Sequence, residues 1–233
     1  MKLSELKPAL AKNGIDLPDL DLEKLETYAK LLKEWNEKMN LTSIVELEDV
    51  VEKHFYDSLL PCALTDFNNK KIVDIGSGAG FPGMVIALAY PSSQVTLVDA
   101  TRKKFAFLEE IKETLQIPNI SFHIGRVEEM KEEKDSFDIV TSRGFASVPT
   151  FLEVGTPLAK LDGEIILMRG AKGKDELKEA KNAMDVLGLR YGKGKPGTLP
   201  TVGDIRWNFL LLKVKQTAAK YPREWAKLIK HPL

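Results

Sequence analysis

The sequence is poor in the residues that build disulfides, metal centres and membrane spans. It has one cysteine, Cys62, so no disulfide can form within the chain, which fits a reducing cytoplasm. Its three histidines, His54, His123 and His231, lie far apart, and no Cys/His spacing resembles a zinc site. No apolar run approaches the roughly 20 residues that cross a membrane, and the start, MKLSELKPAL, lacks the apolar core of a signal peptide. We therefore expect a cytoplasmic protein with no metal and no membrane partner.

An excess of one charge is also missing. Lys and Arg total 34, Asp and Glu total 34, and the formal net charge is 0. This balance excludes a globally basic nucleic-acid binder but is compatible with a local basic patch. With 43% hydrophobic and 29% charged residues in 233, the chain has an ordinary globular composition. Its length suits one sizeable domain with a helical appendage, or two small domains.

The first part of the chain, residues 1–66, has helical periodicity. Residues 46–64 predict a helix that is interrupted near Pro61. Residues 21–40 predict an amphipathic helix, because apolar residues recur there at three- to four-residue spacing. That stripe consists of Leu22, Leu25, Tyr28, Leu32, Trp35 and Met39. We assign residues 1–66 to an N-terminal helical cap.

From residue 71 onward, short β-branched runs alternate with helical stretches. This pattern predicts an α/β fold with a mostly parallel sheet covered on both faces. The expected strands are Lys71–Ile75, Gln94–Val98, Ile120–Ile124, Phe137–Thr141, Gly163–Met168 and 207–214. The expected helices are Pro82–Tyr90, Arg102–Leu115, Val148–Ala159 and Asp175–Leu187. We assign residues 67–215 to this core and 216–233 to a basic C-terminal tail.

A glycine-rich string, IVDIGSGAGFPG at residues 72–83, follows the first expected strand. Glycines there permit a tight turn and close approach of the backbone to a ligand, as dinucleotides and S-adenosylmethionine both require. Asp74 favours S-adenosylmethionine, because a carboxylate suits a cationic cofactor better than a pyrophosphate. Asp99 ends the second strand and can accept hydrogen bonds from ribose hydroxyls, which also fits NAD. An NAD-dependent oxidoreductase therefore remains an alternative at this point.

Several further segments carry a family resemblance. The glycine string, VTLVDATRKKFAFL, RVEEM and SRGFAS together resemble the bacterial glucose-inhibited division protein B family. The likeness extends to YAKLLKEWNEKMNLTSI, HFYDSLL and the terminal KYPR…PL. Members of that family are 16S ribosomal RNA guanine-N7 methyltransferases that act on guanine 527 of the 530 loop. The resemblance implies a Rossmann-like class I methyltransferase that uses S-adenosylmethionine and acts on 16S ribosomal RNA or a small-subunit particle.

The resemblance also implies a cofactor pocket assembled from separate parts of the chain. Arg143 would lie beside both the cofactor and the target base. The loop around the methionine moiety would comprise Asp74, Gly76, Ser77, Gly78, Gly80 and Phe81. The ribose and adenine would be bordered by Asp99, Ala100, Thr101, Val127 and Glu128.

The acceptor chemistry makes no demand for a general base, since guanine N7 carries a lone pair and no proton. Positioning is then the main catalytic task, and we expect Arg143 and Arg169 to perform it. A hydrogen bond to N7 would occupy the reacting lone pair, so Arg143 should contact O6, a phosphate or the cofactor carboxylate. Arg169 replaces the family's usual lysine, and Gly144 its usual alanine. The tail also departs from the family at Glu224, Ala226 and Leu228.

RNA binding must be local in a chain with zero net charge. The tail and the residues just before it are the best candidate, because basic residues dominate the stretch from Lys213 to His231: Lys213, Lys215, Lys220, Arg223, Lys227 and Lys230. Lys172 belongs to a second basic run. Arg126 would face the crevice unless it pairs with Glu128 or Glu129. Phe145 would stack on a flipped base or pack in the core.

Other residues are better explained by structure than by function. Cys62 is expected in the core, and His54 and Asp57 are expected to form a structural pair in the cap. Two further alternatives remain open, namely a small-molecule methyltransferase and a non-catalytic RNA-binding protein that retains a cofactor pocket. We expect a monomer, because no obvious exposed apolar stripe is present.

Overall fold

A single seven-stranded sheet forms the centre of the computed structural model, which describes residues 1–233. The strands are β1 (Lys71–Ile75), β2 (Gln94–Asp99), β3 (Ile120–Ile124), β4 (Phe137–Arg143), β5 (Ala159–Arg169), β6 (Leu189–Thr198) and β7 (Ile205–Lys213). Their order is β3-β2-β1-β4-β5-β7-β6. Strands β1 to β5 pair in parallel, while β7 runs antiparallel to β5 and β6. The predicted α/β fold with a mostly parallel sheet is confirmed.

Helices cover the sheet and build the N-terminal cap. They are α1 (Leu6–Ala11), α2 (Leu22–Asn36), α3 (Leu47–Val50), α4 (Asp57–Leu59), α5 (Gly83–Ala89), α6 (Arg102–Thr114), α7 (Val148–Gly155), α8 (Gly173–Glu179), α9 (Lys181–Leu187) and α10 (Trp225–Lys230). A π-helical stretch, Val51–Tyr56, joins α3 to α4, and a 3-10 turn at Leu60–Ala63 follows. The helical run therefore ends around Pro61, as expected. No helix combines the length and apolarity that a bilayer crossing requires.

The cap packs directly on the sheet. Helix α2 begins at Asp21, whose side chain accepts hydrogen bonds from the Glu23 and Lys24 amides. Its inner face buries Tyr28 and Leu32, and these join the same hydrophobic cluster as Ile72 of β1. Cap and core therefore share one apolar interior. The division at residue 66 stays a prediction.

Strand β6 is the element that sequence patterning missed. Its residues, LRYGKGKPGT, contain glycine, lysine and proline, which have low β-propensity. The strand nevertheless pairs with β7 along its length. Gly194 is required there, because a Cβ at this position would lie 2.7 Å from Cδ1 of Phe209.

Two further predictions need correction. Helix 175–187 is in fact the pair α8 and α9, which meet at Ala180. Lys213 does not belong to the basic tail: it ends β7 and is 0% exposed. Its Nζ lies 2.6 Å from Oδ1 of Asp135 and 2.7 Å from the Ala159 carbonyl oxygen. By contrast, Cys62 packs against the core as expected, and burial raises the pKa of its thiol to about 12.

Candidate functional site

The glycine loop lies between β1 and α5, at the point in the sheet where strand order reverses. Ligands of doubly wound folds bind at such switch points, beyond the carboxyl ends of the strands. Gly76 and Gly80 have φ angles of +73° and +93°, a left-handed conformation that favours glycine. A Cβ on Gly76 would lie 2.6 Å from Cδ2 of Phe145. The loop can therefore follow this path only with glycine at these positions.

A cleft of about 300 Å³ opens beside the loop. Many of the residues expected to hold a cofactor meet in it, although they come from distant parts of the sequence. The lining residues are Ile75, Gly76, Val98, Asp99, Ala100, Lys104, Gly125, Arg126, Val127, Glu128, Gly144, Phe145 and Trp225. Lys104 and Trp225 were not expected there. Arg126 lines the cleft and also pairs with Glu128, since its Nη1 lies 3.5 Å from Oε1 of Glu128, so both predicted alternatives are found together.

Asp99 is the main hydrogen-bond acceptor of the cleft. Its Oδ2 accepts from the Gly78 amide at 3.0 Å and from Lys104 Nζ at 2.9 Å, and its Oδ1 accepts from the Thr101 amide at 2.8 Å. Burial opposes ionisation, but the bonds from Lys104 and Thr101 outweigh it and lower the pKa of Asp99 below its usual value. The cleft therefore contains an ionised carboxylate whose present partners include a flexible lysine.

Two other predicted cofactor residues, Asp74 and Ser77, lie beneath the loop, outside the cleft lining. Asp74 is 0% exposed, and its Oδ2 accepts from the Gly83 amide at 2.8 Å, while Oδ1 has no partner. Burial raises the pKa of Asp74 to about 7. Ser77 Oγ donates to the Asp74 carbonyl oxygen at 2.9 Å. These contacts shape the loop from below, so both residues act on its conformation.

Phe81 ties the glycine loop to the cap. Its ring stacks between His54, at a centroid distance of 4.4 Å, and Tyr28, at 5.4 Å. Tyr28 is 0% exposed, and its hydroxyl donates to the Ala79 carbonyl oxygen of the loop at 2.6 Å. The sequence marked Tyr28 only as part of an apolar stripe, and nothing local in the sequence indicates its bond to a residue 51 positions away.

Arg143, at the end of β4, is held by the cap. Its Nη1 donates to the Lys53 carbonyl oxygen at 2.9 Å and to Asp57 Oδ2 at 3.1 Å, and its Nη2 lies 3.0 Å from Nδ1 of His54. Burial and the neighbouring Arg143 charge lower the pKa of His54 to about 3. The neutral imidazole therefore accepts from Arg143 through Nδ1 and donates through Nε2 to Thr42 Oγ1, 3.1 Å away. The expected pairing of His54 with Asp57 is replaced by a bond from each of them to Arg143, and Asp57 also lines the cavity described next.

A second cavity, of about 270 Å³, shares Gly144 with the cleft. Three arginines and two carboxylates are among its lining residues, which are Asp57, Arg143, Gly144, Met168, Arg169, Gly170, Glu176 and Arg206. Arg169 Nη1 donates to the Ala146 carbonyl oxygen at 2.9 Å, and burial lowers the pKa of Arg169. Arg206 Nε donates to Asp57 Oδ1 at 3.1 Å. Sequence reasoning missed Arg206, which follows a turn and carries no local motif.

The residues predicted to bind RNA differ in how exposed they are. Lys172, Lys220, Lys227 and Lys230 are exposed. Arg223, in contrast, is engaged with Glu153, because its Nε lies 2.7 Å from Oε1 of that buried carboxylate. Phe145 packs on Gly76 and on Trp225, whose ring centroid is 6.0 Å away. The structure therefore places Phe145 in the wall of the cleft.

Solved structures with a similar fold are methyltransferases. A SAM-dependent methyltransferase from Aquifex aeolicus is 14% identical with a TM-score of 0.56, covering 71% of this chain and 93% of that one. The TYW2 protein of M. jannaschii, solved with AdoMet, is 16% identical with a TM-score of 0.53, covering 64% and 71%. At these identities the likeness supports the fold alone, and it confirms the expected Rossmann-like architecture.

Sequence relatives are much closer. The family described as rRNA small subunit methyltransferase G (GidB) matches residues 21–193. Proteins named "Ribosomal RNA small subunit methyltransferase G" are 40% identical in Bacillus velezensis and 37% identical in Halalkalibacterium halodurans. Both alignments cover 100% of this chain and at least 99% of the relative. The chain therefore belongs to the rRNA small subunit methyltransferase G family.

Proposed function

We propose that the protein transfers a methyl group from S-adenosylmethionine to N7 of guanine 527 in the 530 loop of 16S ribosomal RNA. The observation that carries this proposal is the adjacency of two spaces across Gly144: a cleft that contains Asp99 and a cavity that contains three arginines. Membership of the rRNA small subunit methyltransferase G family supports the RNA substrate. An RNA substrate in the small ribosomal subunit also agrees with a cytoplasmic location.

The residues of the cleft fit S-adenosylmethionine. When bound, the cofactor supplies an electrophilic methyl group on a sulfonium. Asp99 would hold the ribose hydroxyls, since its ionised oxygens already accept hydrogen bonds from nearby donors. Gly76 and Gly78 would let the backbone approach the methionine moiety, and Val127 and Glu128 would border the adenine. Lys104, which lies on Asp99 Oδ2, would move aside or share that oxygen.

The residues in and beside the cavity would orient the target guanine without acting as general bases. His54 is uncharged, yet its Nδ1 is engaged by Arg143 and its Nε2 by Thr42, so it has no free nitrogen for a proton. Asp57 is held by both Arg143 and Arg206. This arrangement agrees with a reaction at N7, which loses no proton. Arg143 and Arg169 would position O6 or a phosphate of the target nucleotide.

The charge change at the acceptor is also accommodated. A guanine methylated at N7 gains a positive charge, and the cavity contains two carboxylates, Asp57 and Glu176. Opposite charge nearby stabilises such a product and the transition state that leads to it. The same carboxylates pair with arginines before substrate arrives, so the three arginines of the lining leave a formal excess of only one positive charge.

A methyl-transfer assay tests the proposal. The protein is incubated with radiolabelled S-adenosylmethionine and small-subunit RNA or particles, and the RNA is digested to nucleosides. Label should be recovered as 7-methylguanosine. Label in another nucleoside would overturn the choice of acceptor, and transfer only to small molecules would favour a small-molecule methyltransferase. Cofactor binding without transfer to any acceptor would favour a non-catalytic RNA-binding protein.

A further inference from the structure

We propose that residues 221–233 form a lid over the cofactor cleft and that Trp225 contacts the bound cofactor. The inference rests on the proposed cofactor and goes beyond the proposed function, because sequence reasoning assigned this segment to RNA alone. Trp225 is the part of the segment that lines the cleft, together with Gly76, Asp99 and Phe145. The first residue of the last helix therefore completes a site whose other walls come from segments at or after the ends of β1 to β4.

An aromatic layer links Trp225 to the glycine loop. The Trp225 and Phe145 ring centroids are 6.0 Å apart with an interplanar angle of 59°. Phe145 in turn lies against Gly76, so closely that a Cβ on Gly76 would be 2.6 Å from its ring. The two rings thus form a continuous apolar wall on one side of the cleft. Flat aromatic surfaces of this kind suit the stacking of a purine ring.

A buried ion pair fastens the segment to the core. Glu153 of α7 is 0% exposed, and both of its oxygens bind Arg223: Nε lies 2.7 Å from Oε1, and Nη2 lies 2.5 Å from Oε2. The Arg223 amide adds a bond of 3.0 Å to Oε1. Undocking the segment would leave a carboxylate without partners inside the protein, which is costly. The geometry is that of a clasp rather than of a free basic arm.

The clasp also orders the far end of the segment. Arg223 Nη2 donates to the His231 carbonyl oxygen at 3.0 Å, so one guanidinium spans the start and the end of α10. Leu228 is 0% exposed and packs in the same cluster as Phe151 and Val154 of α7. The inward face of α10 therefore carries Trp225 and Leu228, while Lys227, Ile229 and Lys230 point to solvent. Lid and RNA-binding surface can coexist on opposite faces.

Calorimetry of S-adenosylhomocysteine, the unreactive product form, tests the contact. Trp225→Ala should raise the Kd at least about fivefold, since stacking on an aromatic ring is worth roughly 1 kcal/mol or more. Ile229→Ala is the matched control on the exposed face of α10 and should leave the Kd unchanged. Both variants are first checked for wild-type thermal unfolding. An unchanged Kd in Trp225→Ala would overturn the proposal.

Fluorescence gives an independent readout. The chain has three tryptophans, Trp35, Trp207 and Trp225, so a variant with Trp35→Phe and Trp207→Phe reports on Trp225 alone. Titration with S-adenosylhomocysteine should shift or quench this emission with the calorimetric Kd. Emission that stays constant at saturation would contradict contact. If that background does not fold, the calorimetric comparison decides alone.

A double-mutant cycle tests whether the clasp acts through Trp225. Arg223→Gln should weaken cofactor binding, and the loss should not add to that of Trp225→Ala, because both remove the same wall. Additive losses would show that Arg223 is not a positioning residue for Trp225. These measurements involve no RNA. If the cofactor measurements contradict the lid, the proposal of methyl transfer to guanine still stands. If the methyl-transfer assay fails, the cofactor measurements can still be interpreted.

Discussion

Two aspartates near the glycine loop show how burial divides the work between similar side chains. Asp99 is 8% exposed, keeps its charge through Lys104 and the Thr101 amide, and faces the cleft. Asp74 has no exposed surface and no counter-ion in contact, so burial raises its pKa to about 7. Sequence position predicted a carboxylate near the cofactor in both cases. Only the fold determines which of the two faces the cleft.

Replacing Asp74 should change how stability depends on pH. The folded protein holds this proton up to a pH of about 7, whereas the usual value of the carboxyl is 3.8, so the folded state binds more protons between these values. Stability therefore falls as pH rises through that window. In Asp74→Asn, which keeps an acceptor for the Gly83 amide, this fall should be reduced. Urea unfolding at pH 4 to 7 measures it, with the exposed Asp162→Asn as control, and identical pH profiles would contradict the assignment.

Replacing Asp99 should affect the cofactor directly. In Asp99→Ala the cleft loses its ionised acceptor, and hydrogen bonds to charged groups contribute about 1.5–3 kcal/mol each. We expect the Kd for S-adenosylmethionine to rise at least about tenfold by calorimetry. Lys160→Ala, at the opposite end of the strands, serves as control and should bind normally. Unchanged affinity in Asp99→Ala would remove this residue from the site.

At the scale of elements, the cap and the core meet at the carboxyl ends of β1 and β4. Helix α2 reaches the glycine loop through Tyr28, and the stretch around Val51–Tyr56 reaches β4 through Arg143. Both contacts join residues that are 51 to 90 positions apart. The cap therefore helps to set the conformation of the loop and the direction of the Arg143 side chain.

Tyr28→Phe should loosen the loop while keeping the ring stack on Phe81. The Ala79 carbonyl oxygen would lose its 2.6 Å donor, and leaving a buried acceptor unpaired costs about 1–3 kcal/mol. Cofactor affinity should fall several-fold by calorimetry, and part of the loss should appear in thermal stability. Thr27→Val, a neighbour on the exposed side of α2, is the control. A stability loss with no change in affinity would show that the bond supports the fold only.

Arg143→Lys tests the need for the planar fork. A lysine has one charged nitrogen and cannot bind Lys53, Asp57 and His54 in the same geometry. Turnover should fall much more than cofactor affinity, because Arg143 is held by the cap and lines the second cavity, where the target guanine would bind. Single-turnover methyl transfer and calorimetry on the same variant separate the two quantities. Equal turnover would show that a point charge suffices.

How much the sequence could predict follows from how local each signal is. Strands β1 and β3 were predicted with their observed bounds, because short runs with β-branched residues between turns are a local signal. Strand β6 escaped because its glycines are explained by residues that are distant in the sequence, such as Phe209 beside Gly194 and Leu60 beside Gly197. Arg206 and Trp225 escaped for the same reason: their neighbours, Asp57 and Phe145, are far away in the sequence.

On the scale of the whole molecule, zero net charge requires that RNA affinity come from a limited surface. The outward face of α10 offers Lys227 and Lys230, and Lys220 lies just before it. Arg223 is committed to Glu153 and Lys213 to Asp135, so neither contributes to that surface. The basic tail is therefore smaller than its composition suggests.

Removing these lysines should flatten the salt dependence of RNA binding. In a Lys227→Ala, Lys230→Ala variant, the slope of log affinity against log salt should decrease by roughly one for each lost phosphate contact. Cofactor affinity should not change, because both side chains point away from the cleft. Lys160→Ala is again the control. A slope equal to that of the wild type would refute a role for the tail in RNA binding.

The position of the methyl group tests the central claim most directly. Small subunits from cells that lack the endogenous activity are incubated with the protein and S-adenosylmethionine, and the 16S RNA is mapped by mass spectrometry of its fragments. We predict one new methyl group, on N7 of guanine 527, whose yield is lower with the Asp99→Ala variant at the same subsaturating S-adenosylmethionine concentration. Methylation at another nucleotide, or at another atom of that guanine, would contradict the account.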